Sequence, residues 1–538
     1  MSYVEVTVLV IGGGPVGLST ALFLGRHGIA TMLVEKRDGT SSLPRAPGLQ
    51  ARTMELFRAA GVHDRIRALE MGDSHPYFEG GILRVRTLAE IDDAVVLEAP
   101  SLDGPHISPE RVMGCGQDRY EQVLTEAARE DGADIRFGTR LEALEQDGDG
   151  VTAIVRDVAT GEPTTVRARY VVGADGASST TRRILGIGRH GRGTVFTAMS
   201  VYFRAPELEA LLKGRKFILC YAEAAPGTMM GLSRLHGCDP WLAAPLYFPE
   251  RGERPEDFTD ERCAEIVRAA AGRPDLAVEI VAKVPWEGAQ LVADAFRQGR
   301  VFLAGDAAHV HPPAGGFGAN TGIHDGHNLA WKLAAVLRGT AGDRLLDTYD
   351  TERRRVGEAM AEQAMVRNRI RHGHADDQTR AAMVDDIIIT LGYRYASDAV
   401  VDGEPDGPVL TPNLELTGQP GTRAPHVWLR RDGQLISTVD LFWDGYVLLT
   451  GDRDKGWNEA ADRVAKRLGV PLRCAVVGPA GDLVPEGADW AAAYGVSPGG
   501  AVLVRPDAFV AWRSPGPVED PDAELIEVLA RVAARGTD

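Results

Sequence analysis

An α/β fold is predicted, with a Rossmann-like dinucleotide-binding unit interleaved with a mixed β-sheet domain, and three observations predict it. Near its start the chain reads VTVLVIGGGPVGLSTALFLGRHGIATMLVEKR, an apolar strand, a glycine turn, a helix and a second strand. Two later apolar strands end in related punctuation, YVVGADG and VFLAGD. The length of 538 residues leaves room for two to four domains of about 100 to 200 residues each.

The first unit justifies itself residue by residue. VTVLVIG is short, apolar and β-branched, as suits a buried parallel strand, and PVGLSTALFLGRHG has helical spacing. Between them lies Gly12-x-Gly14-x-x-Gly17. In such a turn the first glycine permits the bend, the second lets a pyrophosphate approach the backbone, and the third lets helix and strand pack closely. ATMLVEKR is the next strand, and it ends in Glu35, eighteen residues past Gly17, where a carboxylate accepts hydrogen bonds from an adenosine ribose. The uncharged stretch Val6–Gly25 could be mistaken for a membrane segment. The four glycines and the proline in its middle break an isolated helix, and Glu5 ahead of it has the wrong sign for a secretory leader.

Composition narrows the class. A hydrophobic fraction of 44% with 25% charged residues is that of a soluble globular protein, so the expectation is cytoplasmic, with no membrane. A net charge of −17 argues against a nucleic-acid partner, because phosphate binding needs a basic surface. Cys115, Cys220, Cys238, Cys263 and Cys474 show no CxxC and no metal-like spacing, so no metal site is predicted.

The nucleotide unit is expected to be discontinuous, built from residues 1–75, 116–189 and 297–396, with 76–115 and 190–296 as substrate-binding segments. QARTMELFRAAGV and QDRYEQVLTEAARE supply helices, and ADIRFGTRLEALEQDGDGVTAIVRD with PTTVRARYVVGADG reads as a meander. In the middle segment Tyr202, Phe203, Phe217, Tyr221, Met229, Met230, Trp241, Tyr247 and Phe248 suit a β-sheet core individually and an aromatic-binding pocket as a group. Residues 397–413, acidic and rich in Gly and Pro, read as a linker. From 414 to 538, TVDLFWDGYVLLTG, WNEAADRVAKRLG, PLRCAVVG and GAVLVRPDAFVAWR give β-α-β followed by a strand pair.

Two further motifs decide which dinucleotide is bound. Asp175-Gly176 and Gly305-Asp306 each follow an apolar strand. The Asp306 carboxylate at a strand end can accept hydrogen bonds from ribityl or ribose hydroxyls. PPAGGFGAN then opens a helix carrying Trp331, Leu333, Ala334 and Leu337 on one face, so its first backbone N–H groups can point at an electron-rich ring edge.

With these residues the chain resembles the FAD-dependent aromatic hydroxylases of the para-hydroxybenzoate hydroxylase type, through GGGPVG, GADG and GDAAH. Within them it is similar to the actinobacterial aromatic-polyketide hydroxylases, such as the aklavinone, tetracenomycin and angucycline hydroxylases, through LPRAPGLQARTMEL, GERPEDFT, STVDLF and LVRPDAFVAWR. The resemblance implies that Gly12, Gly14, Val16 and Gly17 hold the FAD pyrophosphate and Glu35 the adenosine ribose. It puts Lys36 beside the adenosine, Arg45 near the flavin, Gln117 at the phosphate–ribityl region and Leu141 against the adenine. It puts Asp306 at the ribityl or pyrophosphate region, backbone groups of Gly318, Ala319 and Asn320 at the isoalloxazine, and Asp175 in a motif tied to both FAD and NADPH. Many relatives have a basic or small residue two positions after the arginine; Pro47 stands there in this chain, and no catalytic role is assigned to it.

The implied activity is hydroxylation of an aromatic polyketide in antibiotic biosynthesis, with NADPH as reductant, dioxygen as co-substrate and a flavin C4a-hydroperoxide as the hydroxylating species. The cofactor then does the hard chemistry and the protein supplies orientation, dryness and electrostatics. His309 and His311 in AAHVHPP stand beside the flavin loop, but histidine is often satisfied structurally, so no base is assigned. The C-terminal domain resembles a thioredoxin-like unit; with Cys474 alone it lacks the CxxC that redox work needs, and a structural or homo-oligomer-forming role is expected. The alternatives are a Baeyer–Villiger oxygenase on the same fold and a non-catalytic FAD-binding sensor; a flavin halogenase is disfavoured because no WxWxIP occurs.

Overall fold

The computed structural model describes residues 2–45, 47–70, 80–99, 106–225, 228–234, 240–404, 406–452 and 456–536. Its first sheet has Ser2–Ile11 at the centre, with Thr31–Val34 and then Asp134–Arg136 on one side and Pro163–Gly173 and then Val301–Leu303 on the other, all parallel. Buried on both faces, these strands need no polar alternation, which is why VLVI and TMLV read as continuous apolar runs. Val8, Val10 and Leu33 face a helical layer made of Pro15–Arg26, Gln117–Glu130 and Phe317–Leu337. Leu9, Ile11, Met32 and Val34 face the opposite way, against Leu141, Leu144, Ala153 and Val155 of the meander strands Thr139–Gln146 and Val151–Asp157.

The second sheet has nine strands, eight from 82–98 and 189–293 and a ninth, His309–Val310, from just after the GD motif. Its spine is the long antiparallel pair Arg189–Arg204 and Glu279–Ala293. Strand alternation divides the aromatic residues of this segment between two faces. Phe203, Phe217, Met230, Trp241 and Tyr247 join the core under the helix Asp260–Ala271, whereas Tyr202, Tyr221 and Met229 alternate to the other face. Phe248 lies under the Arg251 guanidinium, 4.3 Å from its ring centroid. The core reading therefore holds for most of the group.

The C-terminal sheet has the order Leu472–Val477, Tyr446–Gly451, Ala501–Val504, Val510–Ser514. Its first pair is parallel across the helix Trp457–Leu468, and the other two pairings are antiparallel. The segment 397–413 is packed rather than free: Val400 is buried, Val401 N–H donates to Ala511 O at 2.7 Å, and Ser397 Oγ donates to Glu352 Oε1 at 2.7 Å.

One long helix, Asp347–Arg371, has no counterpart in the sequence reading. Its buried face includes Glu352, Arg353, Arg367 and Arg371, and these interrupt the apolar period that would mark a helix. Among the described residues no helix is long and apolar enough to cross a membrane, and no group of three or more His, Cys, Asp or Glu could hold a metal ion. Cys115, Cys220 and Cys263 are buried free thiols; Cys238 lies outside the described residues.

Candidate active site

The three glycines of the first turn differ in what surrounds them. Gly12 has φ +110° and a side chain there would strike the Ala174 carbonyl, so the GADG segment presses directly on the turn. A side chain at Gly17 would strike the Gly12 carbonyl, the close strand–helix packing expected of the third glycine. At Gly14 nothing lies within 4 Å of the place a Cβ would take. Gly14 is the N-cap of Pro15–Arg26 and lacks a side-chain cap, so the first amides of the helix face that open space.

Val16, the second residue of the helix, is wedged between two more glycines. Its Cγ2 lies 2.7 Å from a would-be Cβ at Gly305 and 2.5 Å from one at Gly322, so the first turn, the GD motif and the helix Phe317–Leu337 meet at one point. Glu35 is buried; its carboxylate accepts Gly13 N–H at 2.7 Å, Arg37 N–H at 2.9 Å and Arg37 Nε at 3.0 Å. Burial pushes this group up, but those donors outweigh it and hold it below the usual glutamate range. Lys36 points to solvent.

Asp306 contrasts with Glu35. It is exposed to the cleft although protein is dense around it, and its carboxylate takes no hydrogen bond from any described residue. Desolvation pushes it above the usual aspartate range, with His309 opposing. A side chain on Gly318, in the first turn of the helix Phe317–Leu337, would put its Cβ 4.0 Å from Asp306 Oδ1, so the helix start lies beside this carboxylate. The amides of Phe317, Gly318 and Ala319 have no backbone partner outside the helix, and Gly316 at the N-cap supplies no side chain. Asn320 is fully engaged: Oδ1 accepts Gln50 N–H at 2.9 Å and Thr53 Oγ1–H at 2.7 Å, and Nδ2 donates to Gly48 O and Gly316 O, both at 3.0 Å. Its backbone alone is left for a ligand.

Arg45 is exposed, its backbone carbonyl accepts Gln117 N–H at 3.0 Å, and its guanidinium lies close to the buried Tyr202 of the second sheet. Gln117 Nε2 donates to Glu121 Oε1 at 2.6 Å. Gly14, Asp306, the helix start, Arg45 and Gln117 thus belong to connected segments. Leu141 contributes its side chain to the core beneath Ile11 and Val34. Asp175 is turned inward, accepting Ser179 Oγ at 2.5 Å and Thr181 N–H at 2.9 Å, while Arg182 Nη1 donates to Ala307 O at 2.8 Å and ties GADG to GDAAH.

His309 is structural: its Nε2 lies 2.8 Å from Asp325 Oδ2, which also accepts Gly305 N–H at 2.9 Å. Asp325 Oδ1 takes Arg353 Nε at 2.6 Å, and all three side chains are buried. This network, which sets the GD motif from behind, was missed in the sequence; the signal was one aspartate inside the otherwise uncharged helical run GFGANTGIHDGHNLAW. His311 Nδ1–H donates to Pro312 O at 3.1 Å, and burial pushes the imidazolium down to about 4, so the ring is neutral at pH 7.

On the sheet face that carries Tyr202, Phe196 stands 5.3 Å from Trp286 and 6.2 Å from His372, and His372 is 5.5 Å from Tyr221. A groove of about 560 Å³ lined by Met199, Phe258, Lys283 and Pro285 opens on the opposite face of the same sheet, so it is not part of this arrangement.

An open glycine at one helix start and a carboxylate without a partner among the described residues beside another are the features of a dinucleotide-binding protein, and these residues fit FAD. The sequence matches the family of FAD binding domains over residues 5–364 and the aromatic-ring hydroxylase C-terminal family over 417–535, and the chain belongs to these FAD-dependent aromatic-ring monooxygenases. It is 47% identical over 554 residues to a tetracenomycin A2 monooxygenase-dioxygenase of Streptomyces glaucescens, covering 99% of this chain and 98% of the relative. It is 41% identical over 549 residues to an aklavinone 12-hydroxylase of Streptomyces purpurascens, covering 99% of each. The crystal structure of a ternary complex of aklavinone-11 hydroxylase with FAD and aklavinone superposes with a TM-score of 0.90 at 39% identity, covering 99% of this chain and 100% of that one.

Proposed function

We propose that this enzyme hydroxylates an aromatic polyketide in antibiotic biosynthesis, using FAD, NADPH and dioxygen. The observation that carries the reading is Asp306, an exposed carboxylate without a hydrogen-bond partner among the described residues, beside the helix start at Gly318, in a chain whose second sheet carries Tyr202, Tyr221 and Phe196 on the face away from its own core. The names and ligands of the relatives, tetracenomycin and aklavinone enzymes among them, supply the substrate class.

FAD, when bound, supplies the activation of dioxygen. The chain's own residues do the rest. Gly12, Gly14 and Gly17, with the start of Pro15–Arg26, seat the pyrophosphate; Glu35 takes the ribose while held by Gly13 and Arg37; Asp306 takes ribityl hydroxyls. Gly318 and Ala319 turn amides to the isoalloxazine, and Arg45 bridges the cofactor side to the substrate sheet through Tyr202. The domain reading follows: 1–75, 116–189 and 297–396 for FAD, 76–115 and 190–296 for substrate, 397–413 as connection, and 414–538 as a thioredoxin-like unit supported by its β-α-β and hairpin order. Soluble cytoplasmic protein is the setting in which NADPH is at hand.

The test is anaerobic reduction of the purified holoenzyme by NADPH and by NADH in separate runs. Bleaching of the flavin by NADPH in the presence of an aromatic polyketide supports the reading. A protein that releases no FAD on denaturation and cannot be reconstituted with it overturns it.

A further inference from the structure

The loop that carries Arg45 runs into the helix Ala51–Ala59, and the buried face of that helix is charged where apolar contact is the rule. Glu55 accepts Arg52 Nη1 at 2.9 Å from its own helix, Ser108 Oγ at 2.6 Å, and Arg423 Nε at 3.0 Å, with a second bond from Arg423 Nη2. Arg423 belongs to the C-terminal domain. Arg52 reaches the same domain, donating Nη2 to the Asp507 carbonyl at 2.6 Å and lying 5.8 Å from the Phe509 ring centroid.

Thr53, between the two charges, turns the other way. Its hydroxyl donates to Asn320 Oδ1 at 2.7 Å and receives His324 Nε2 at 3.0 Å, and the same Asn320 holds Gln50 and Gly48 of the cofactor-side loop. The C-terminal domain is thereby joined, bond by bond, to the strip of backbone behind which Arg45 and Gln117 stand.

Stability alone does not account for this chemistry. A buried ion cluster loses hydration on folding, and apolar residues of equal volume often stabilise a core as well or better. Charged, directional bonds fix orientation where apolar contact allows sliding. We propose that the C-terminal domain positions the cofactor-side loop Pro47–Gln50 through Arg423, Glu55 and Arg52, with Thr53 and Asn320 as the link. These are positioning residues, and the inference rests on FAD occupying the cleft.

The full-length protein is stripped of FAD and titrated with it, recording the dissociation constant and the visible band of the bound flavin, for wild type, Glu55→Gln, Thr53→Val and the double variant. Lys332→Met is the reference, because its ammonium pairs with Glu352 at 2.7 Å in the same domain interface, well along the helix from Gly318. Glu55→Gln should weaken FAD about tenfold and alter the flavin band, the scale of one charge-assisted hydrogen bond. Thr53→Val should act in the same direction, and the double variant should lose less than the product of the two, as members of one network do. Lys332→Met should lower the melting temperature while FAD affinity stays within about twofold. If Glu55→Gln fails to fold, Ser108→Ala, which removes one of its bonds, is held to the same criteria. Glu55 and Thr53 variants that melt early yet keep the wild-type dissociation constant and flavin band overturn the proposal, as does full additivity. Wild-type protein that takes up no FAD overturns the cofactor reading and this proposal with it.

Discussion

Gly14→Ala separates what the protein needs from what its ligand needs. No protein atom lies within 4 Å of the added methyl, and the backbone at φ −83°, ψ −173° is extended, open to any residue. Alanine is a poorer N-cap than glycine, while the loss of unfolded-chain freedom stabilises by about 0.4–1 kcal/mol. The two effects oppose, so the FAD-free protein should keep its stability within about 1 kcal/mol. A methyl in the space assigned to the pyrophosphate costs about 1–3 kcal/mol of binding by overpacking, weakening FAD roughly fivefold to 150-fold. The assay is flavin-fluorescence titration of the stripped protein, with thermal melts of the FAD-free form in parallel. Unchanged FAD affinity would refute the placement of the pyrophosphate at Gly14; a large drop in the FAD-free melting temperature would refute the claim that the space is open.

Gly17→Ala should behave oppositely, since its methyl meets the Gly12 carbonyl: loss of about 1–3 kcal/mol and of roughly 2 to 12 °C in the melting temperature without any FAD, checked by calorimetry. Asp306→Asn should weaken FAD about tenfold to a hundredfold, because it replaces a charged acceptor worth about 1.5–3 kcal/mol. Since desolvation raises this carboxylate in the folded state, it favours folding fully only below its unfolded pKa, an advantage lost as pH rises through the folded value; FAD-free Asp306→Asn should gain stability relative to wild type at neutral pH. Glu35 is held below its ordinary 4.5, so its contribution is present above that value and is lost as pH falls through the folded pKa; Glu35→Gln should flatten the acid limb of the pH–melting profile. Cys474→Ser should leave NADPH-driven turnover within about twofold, because its domain has no second cysteine among the five in the chain for an internal disulfide.

The parts legible in the sequence are those whose pattern is local. The strand Ser2–Ile11, the turn at Gly12–Gly17 and the helix Gln117–Glu130 each announce themselves within one run of residues. The close packing at Gly17 was also legible, because its constraint comes from Gly12 of the same motif, whereas the Ala174 carbonyl that confines Gly12 comes from the distant GADG segment. What escaped was long-range pairing of charges. No pattern in the sequence marks Arg353, Asp325 and Glu55 as buried, yet each is buried against a charged partner on another element, Arg423 on Glu55 across 368 positions. The aromatic segment shows the same limit: alternation sends Phe203 and Trp241 to the core and Tyr202 to the other face, and bulges such as the one that leaves Val281 unpaired opposite Tyr202 and Phe203 change the parity of the partner strand in ways no run of letters records.

The central claim is that FAD held in this cleft directs one atom of dioxygen onto an aromatic ring carbon. Holoenzyme, NADPH and a panel of phenolic tetracyclic polyketides including aklavinone, incubated under ¹⁸O₂, test it most directly by mass spectrometry and NMR of the product. One labelled oxygen on a ring carbon, with little hydrogen peroxide released, is the predicted result. A labelled oxygen inside a lactone, or FAD-replete enzyme that turns NADPH only into peroxide with every member of the panel, would contradict it.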